Sequence, residues 1–574
     1  MKLKISLVTA LLVPFTFAVQ AQFTSTHTNG QTFGQSQFFQ PFSQQGPAEE
    51  NPPPSEESAQ PQPNNATITQ NGLSQTANVG QNGVGLTGTI SQVGTITTNK
   101  NNDGFIGQSG TGHTATVNQN NGSTFNRGAI VQVNASGSSS GGNTAIISQS
   151  NGSGGTSLRS GDPNVSTGGA GNWAGVAQVG SGNTATITAN GPNTTVNFAE
   201  TWQKGQTNTA STIQGKGQDN RAEIFQGDDT RGNTPLMPPG VGVNVDVTGN
   251  TATVDQKRSS TNDAFIRQFS NTNTATINQN TATSTGNIAS VQQGDGSDVM
   301  GQAGNVATVA QTSSSASNTA TVAQTGANGT VDVSQQNSST DNIATIKQIS
   351  GSGLKMSLQQ SYGANRNTTT TNQYGTNSEI SVEQVASSDN KATINQGAAS
   401  TTSSNNKARV YQKDGSQQGE ITINQNLTTD GSANYAQVEQ AYPSGTSTAN
   451  KATVNQEGSR NVTRLGQTGV GNHMAMITQA GNNNLVQGPG TSIYEVGPMA
   501  TQKGDGNKMT VSQTSPDGQN TTIFNTAILS QDGITNTIDL TQTANTVNNI
   551  STISQMGTSN MATVTQTGGS PAIN

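Results

Sequence analysis

Three histidines, His27, His113 and His473, are the side chains that would titrate near neutral pH, because the chain has no cysteine. They stand far apart and none has the spacing of a metal-binding pair. Gly137 to Gly141 spells Gly-x-Ser-x-Gly. It lies in a Ser/Gly tract, without the strand-turn-helix context that presents a serine nucleophile. Asp228-Asp229 and Asp295-x-x-Asp298 carry carboxylates suited to calcium. They do not recur at a fixed period, as calcium loops of a repeat protein would. No catalytic, cofactor-binding or metal-binding residue is assigned, and the expectation is a non-enzyme: a β-helix enzyme would need a convergent acid/base set.

The chemistry that does recur is that of amides. A window of Asn, any, Ala, any, Ile/Val/Leu, any, Gln occurs in strict form seventeen times between Asn64 and Asn560. Four internal copies are Asn262-Ala264-Ile266-Gln268, Asn273-Ala275-Ile277-Gln279, Asn287-Ala289-Val291-Gln293 and Asn305-Ala307-Val309-Gln311. The last copy is Asn560-Ala562-Val564-Gln566. Looser copies change one position, as where His113 replaces the Asn or Ala189 the final Gln. A buried amide costs free energy unless all its groups are paired. Stacking copies about 4.8 Å apart would let each amide donate to one neighbour and accept from the other, as in a cross-β ladder.

That chemistry dictates the elements. Fixed residues at i, i+2, i+4 and i+6 share one face of a β-strand and would scatter around a helix. The intervening positions are mostly Thr, Ser, Asn, Lys or Arg and are expected to face water. Gln-x-Gly-x-x-Asn links windows at Gln178, Gln456, Gln467, Gln502, Gln531 and Gln555, with the Gly supplying positive φ. Strand plus turn makes about 11 residues and two strands a coil of roughly 22, the period of a solenoid. The expected fold is all-β, a β-solenoid of stacked two-strand coils over residues 64–566 with no capping domain. It has room for about 22 coils and roughly 100 Å of sheet. The longer stretches 151–171, 189–207 and 227–249 read as loops.

Composition excludes other classes. Hydrophobic residues are only 29% and charged ones 10%, too few apolar side chains for conventional globular cores across 574 residues. The net charge of −7 and scattered basic residues disfavour a nucleic-acid partner. Residues 1–21 read as a signal peptide: Lys2 and Lys4, a short apolar stretch from Leu7 to Phe17, then Val19-Gln20-Ala21. That stretch is too short to span a bilayer, so no membrane insertion is expected. Residues 22–63 mix Phe33, Phe38, Phe39 and Phe42 with Gln, then run into Pro52, Pro53, Pro54, Glu56 and Glu57; they read as disordered. Residues 567–574 form a tail.

The windows resemble the curlin repeat of bacterial curli fibre subunits, Ser-x5-Gln-x-Gly-x2-Asn-x-Ala-x3-Gln. Ser554-Gln555-Met556-Gly557-Thr558-Ser559-Asn560-Met561-Ala562 through Gln566 is similar to its turn and second half, and Ser378 to Gln384 to its first half. The resemblance implies a secreted subunit of extracellular amyloid at the bacterial cell surface, polymerising with itself and serving biofilm matrix and adhesion. It further implies a nucleator subunit and an outer-membrane export pore as partners. The chain departs from curlins in having many more repeats and uneven turns.

Two outward patterns complete the reading. Lys391, Lys407, Lys451 and Lys508 each follow a window Asn and are candidate gatekeepers that slow stacking before export. Thr-Ala-Thr recurs at Thr114, Thr184, Thr251, Thr274 and Thr319. It supports an alternative, a monomeric solenoid binding ice or glycan through a Thr-rich face. Arg221, Phe265, Tyr435 and the lysines are expected to interrupt such a face.

Overall fold

The computed structural model describes residues 63–568 except 74, 95–101, 121–125, 135–141, 151–171, 191–196, 216–218, 230–242, 245, 281–283, 295–302, 402, 442–447, 490–497, 517–524 and 545–547. The signal-peptide stretch, the Phe/Gln/Pro segment up to residue 62, His27, the serine tract at 137–141, Asp295, Asp298 and the loop 151–171 lie outside the described residues.

The fold is all-β, with no helix among the described residues, and it is a parallel β-solenoid. The chain divides into two units. Unit 1 is Met1–Gly286 with Asp295–Met300, and unit 2 is Asn287–Gly294 with Gly301–Asn574.

In unit 1, sheet I stacks Asn65–Asn71, Thr87–Val93, Thr114–Asn120, Thr144–Ser150, Thr184–Asn190, Thr209–Ile213, Thr251–Asp255 and Thr274–Asn278, all parallel. Sheet II faces it with Thr76–Val84, Asp103–Thr111, Arg127–Val133, Trp173–Ser181, Phe198–Gln206, Arg221–Gln226 and Asp263–Gln268. Strands alternate between the sheets along the chain, so each coil is strand, arc, strand, arc. Unit 2 repeats the plan. Sheet III runs from Ile288–Gln293 through Thr319–Gln324 to Met561–Thr567, and sheet IV from Val306–Thr312 through Thr330–Gln336 to Asn549–Thr558.

Register is set by the window. Ala222 lies opposite Ala264, Ile224 opposite Ile266 and Gln226 opposite Gln268. A slip of one residue would turn every inward side chain out. Between the sheets the Ala, Ile and Val side chains are sealed from solvent. Ala keeps the sheets close, and the branched residues fill the remaining width.

Three expectations need correction. Coils are longer than 22 residues on average: the ladder step is 22 residues from Gln70 to Gln92 but 46 from Gln132 to Gln178. The described strands therefore make fewer coils than the 22 expected. The stretch 189–207 is not all loop, since Phe198–Gln206 is a full strand of sheet II. Its window, Asn197-Phe198-Ala199-Glu200-Thr201-Trp202-Gln203, carries Thr201 where the pattern has an aliphatic residue. In 227–249, Asp228–Asp229 pairs antiparallel with Val243–Asn244, and Val247–Thr248 joins sheet II beside Gly205 and Gln206.

The arcs follow a rule of their own. The residue just before most ladder Asn positions is left-handed, as at Thr272 before Asn273 (φ 55), Asp341 before Asn342 (φ 53) and Arg460 before Asn461 (φ 57). Two residues after the Gln, glycine is required at several arcs. There Gly533 has φ 130, and a Cβ would come within 1.8 Å of the Gly557 carbonyl oxygen one coil on.

Candidate functional site

The inward Gln residues form amide ladders as the spacing predicts. In sheet II, Gln178 Nε2 donates to Gln203 Oε1 at 2.6 Å, Gln203 to Gln226 at 2.8 Å and Gln226 to Gln268 at 2.8 Å. In sheet III the run from Gln293 through Gln324 and Gln348 to Gln373 keeps 2.9 Å at each step. It ends on Gln542 donating to Gln566 at 2.8 Å. Sheet IV starts with Gln311 to Gln335 at 2.8 Å.

The second N–H of each amide was not anticipated. It crosses the core to a backbone carbonyl of the facing strand. Gln268 Nε2 donates to Thr251 O at 3.0 Å, Gln279 to Asp263 O at 3.2 Å and Gln293 to Asn305 O at 3.0 Å. One side chain thus joins coil to coil and sheet to sheet, and no polar hydrogen is left over.

The Asn residues keep the expected side-chain stacking at some corners, as where Asn484 Nδ2 donates to Asn461 Oδ1 at 2.9 Å and Asn342 to Asn318 at 3.2 Å, and add backbone contacts that were not expected. Asn250 Oδ1 accepts the backbone N–H of Asn273 at 2.8 Å, and Asn318 Oδ1 that of Asn342 at 2.9 Å. Their Nδ2 groups mostly turn to arc carbonyls, as Asn305 does to Gly326 O at 2.7 Å and Asn342 to Ala364 O at 2.9 Å. Asn sits at a corner where the strand has just left a left-handed residue. Its short side chain reaches the backbone of the next corner better than the next amide. Each Asn therefore staples an arc onto its neighbour.

His113 and His473 occupy two of these corners and are fully buried. His113 Nδ1 accepts from Asn143 N–H at 3.0 Å while Nε2 faces the Ser109 carbonyl at 3.1 Å. His473 repeats this with Asn507 N–H at 3.3 Å and Thr468 O at 3.0 Å. An Nε2–H tautomer satisfies both contacts at both sites. Burial pushes both imidazoles below their usual pKa, partly offset by the backbone hydrogen bonds. In the arc after Gln467 the ladder corner is His473 rather than Asn472, because a bulge at Gly469/Gly471 adds a residue.

Asn262, Ala264, Ile266, Gln268, Asn273, Ala275, Ile277, Gln279, Asn287, Ala289, Val291, Gln293, Asn305, Ala307, Val309 and Gln311 are all completely buried. Asn560, Ala562, Val564 and Gln566 face inward but are only half-buried, because theirs is the last described strand of sheet III. The same condition holds at the first described strand of sheet I, where the inward Ile68 is 46% exposed. One ladder is interrupted. Ala189 lies opposite Gln149, and beyond it the Gln214 Oε1 is buried without a partner.

The candidate gatekeepers lie in outward columns. Lys391 and Lys451 flank Glu420, with Nζ–O distances of 3.6 and 3.2 Å. A hydrogen bond from Lys451 is the main cause of the lowered pKa of Glu420. Lys407 lies between Glu379 and Tyr435, and Lys508 between Met474 and Thr537. In the folded stack the first three lysines thus alternate with or adjoin a carboxylate.

Not every outward position faces water. On sheet II, Phe105, Trp202, Phe225 and Phe265 are buried together with Glu200, Glu223 and Arg267. Trp173 stacks on Phe198 at 4.6 Å, and the Arg221 guanidinium lies 5.6 Å from Phe198 and 5.4 Å from Phe265. Trp202 Nε1 donates to Glu200 at 2.6 Å. The concentration of aromatics between Phe105 and Phe265 was a readable signal of this second core. Neither a protein-family model nor a curated relative matches the chain.

Proposed function

We propose that this chain is a secreted structural subunit of curli-type extracellular fibres, polymerising by strand-edge stacking and serving biofilm matrix and adhesion. The observation that carries the reading is the pair of exposed ladder edges. Among the described residues nothing covers the outer edge of Asn65–Asn71 in unit 1 or of Met561–Thr567 in unit 2. The inward Ile68 is 46% exposed there, and the inward Ala562, Val564 and Gln566 are only half-buried. Such edges, with inward amides already in register, are templates for another strand. Each further copy would extend the Gln ladder and cover those inward side chains. A nucleator subunit and an outer-membrane export pore are the partners that the curlin resemblance adds, and the bacterial cell surface is the site of assembly.

Incubating the purified chain tests this. Thioflavin-positive fibres with a 4.7–4.8 Å meridional reflection are expected. A chain that stays monomeric by sedimentation at every concentration would defeat the reading and leave the monomeric alternative.

A further inference from the structure

The outward face of sheet I carries two regular columns of small hydroxyl side chains. Its first column is Thr87, Thr114, Thr144, Thr184, Thr209, Thr251 and Thr274, directly opposite one another in consecutive strands. Its second column is Thr67, Thr89, Thr116, Ile146, Thr186, Ser211, Thr253 and Thr276. Neither column holds an ionisable residue, and these pairings run without a bulge. The residues expected to interrupt a Thr face lie elsewhere. Arg221 and Phe265 are on sheet II, and Lys391, Lys407, Tyr435 and Lys451 belong to unit 2.

Parallel strands stand about 4.8 Å apart, and alternate residues of one strand are about 6.7 Å apart. The face is therefore a grid of hydroxyls and methyls with those two repeats. The prism plane of hexagonal ice presents a rectangular net of oxygens with one repeat close to the strand spacing and a second somewhat longer than the residue repeat. β-Branched Thr has few χ1 states, so the grid is held before any ligand arrives. Thr supplies a methyl that excludes loose water and a hydroxyl that joins an ordered lattice. The neutral columns suit a neutral crystal and give no purchase to a charged polymer. Few aromatic rings are needed for such a surface, and sheet I offers none in either column, whereas a sugar-binding face normally presents rings to stack on.

We propose that sheet I of unit 1 binds the surface of ice. Unit 2 supplies an internal control. In sheet III, Thr345, Thr370, Thr393, Thr422 and Thr453 make one column, but the column beside it reads Thr368, Lys391, Glu420 and Lys451. A single Thr column beside alternating charges lacks the second lattice repeat.

The test is partitioning of the fluorescently labelled full chain, kept monomeric, into a slowly grown ice hemisphere beside labelled serum albumin. The wild type should enter the ice several-fold more than albumin. The double variant Thr184→Tyr/Thr209→Tyr should fall to the albumin level with an unchanged circular-dichroism spectrum and melting temperature. Thr393→Tyr on sheet III should partition as the wild type does. Exclusion of the wild type from ice, including the case where it is instead retained on cellulose or chitin, overturns the proposal, as does undiminished partitioning of a folded double variant. Fibre formation plays no part in the readout, so this proposal and the fibre reading fail separately.

Discussion

At the residue scale the fold rests on Gln amides that use both of their N–H groups. Gln is used because it is long enough to reach both the next coil and the facing strand, while Asn is held at corners where backbone is nearer than another amide. Thr at an aliphatic position is the weak point of this scheme. Thr201, Thr212 and Thr371 are buried with hydroxyls that meet no partner. Thr212→Val keeps the shape and removes the orphan, and is expected to stabilise the chain by about 1 kcal/mol in denaturant titration. The two corner histidines give the fold an acid-sensitive element. Their folded pKa values are lowered, so the unfolded chain binds more protons below the ordinary His value. Their contribution to stability is complete above pH of about 6.5 and shrinks as pH falls below it toward the folded pKa. His113→Asn/His473→Asn restores the corner amide. The variant should lose less stability than the wild type between pH 7 and pH 5, and equal losses would remove the histidines from the account.

At the element scale, strands were legible and arcs were only half so. Period-2 spacing of Asn, Ala, Ile and Gln fixes the strand, its inward face and its register, because one slip exposes four side chains at once. Phe198–Gln206 escaped because Thr201 breaks the aliphatic position, although Asn197, Ala199 and Gln203 keep their places. The left-handed residue before each Asn also escaped. Its identity varies from Gly to Thr, Asp and Arg, since the geometry is imposed by the stacked arc and not by local preference. The aromatic side chains of sheet II were read as wet for a similar reason. Alternation within a strand says which face a residue takes, not what covers that face. Glycine two residues after the Gln was legible, and it carries a firm expectation. Gly533→Ala puts a methyl into the Gly557 carbonyl at an arc that also needs positive φ. Its loss should exceed about 2 kcal/mol and appear as a lower melting temperature. A melting temperature equal to the wild type would mean that the arcs do not stack this closely.

At the scale of the whole molecule the question is whether the exposed edges are where copies join. Backbone geometry allows the edges to be closed one hydrogen bond at a time. Asn65 N–H donates inward to Leu86 O at 2.7 Å, so by alternation the N–H of Ile68 points away from the stack. Gly568 N–H donates inward to Thr543 O at 2.6 Å, which leaves the N–H of Thr563 pointing outward. Proline at Thr563 removes only an outward donor, which an edge strand tolerates, whereas proline at Ile68 also gives up part of an inward side chain that is already 46% exposed. The deciding measurement is the rate of fibre elongation from wild-type seeds by Ile68→Pro, Thr563→Pro and the double variant. The expected result is an unchanged monomer melting temperature for Thr563→Pro, a folded monomer for Ile68→Pro, elongation slowed at least about tenfold by each single variant and no growth by the double. Elongation at the wild-type rate by the folded double variant would contradict it.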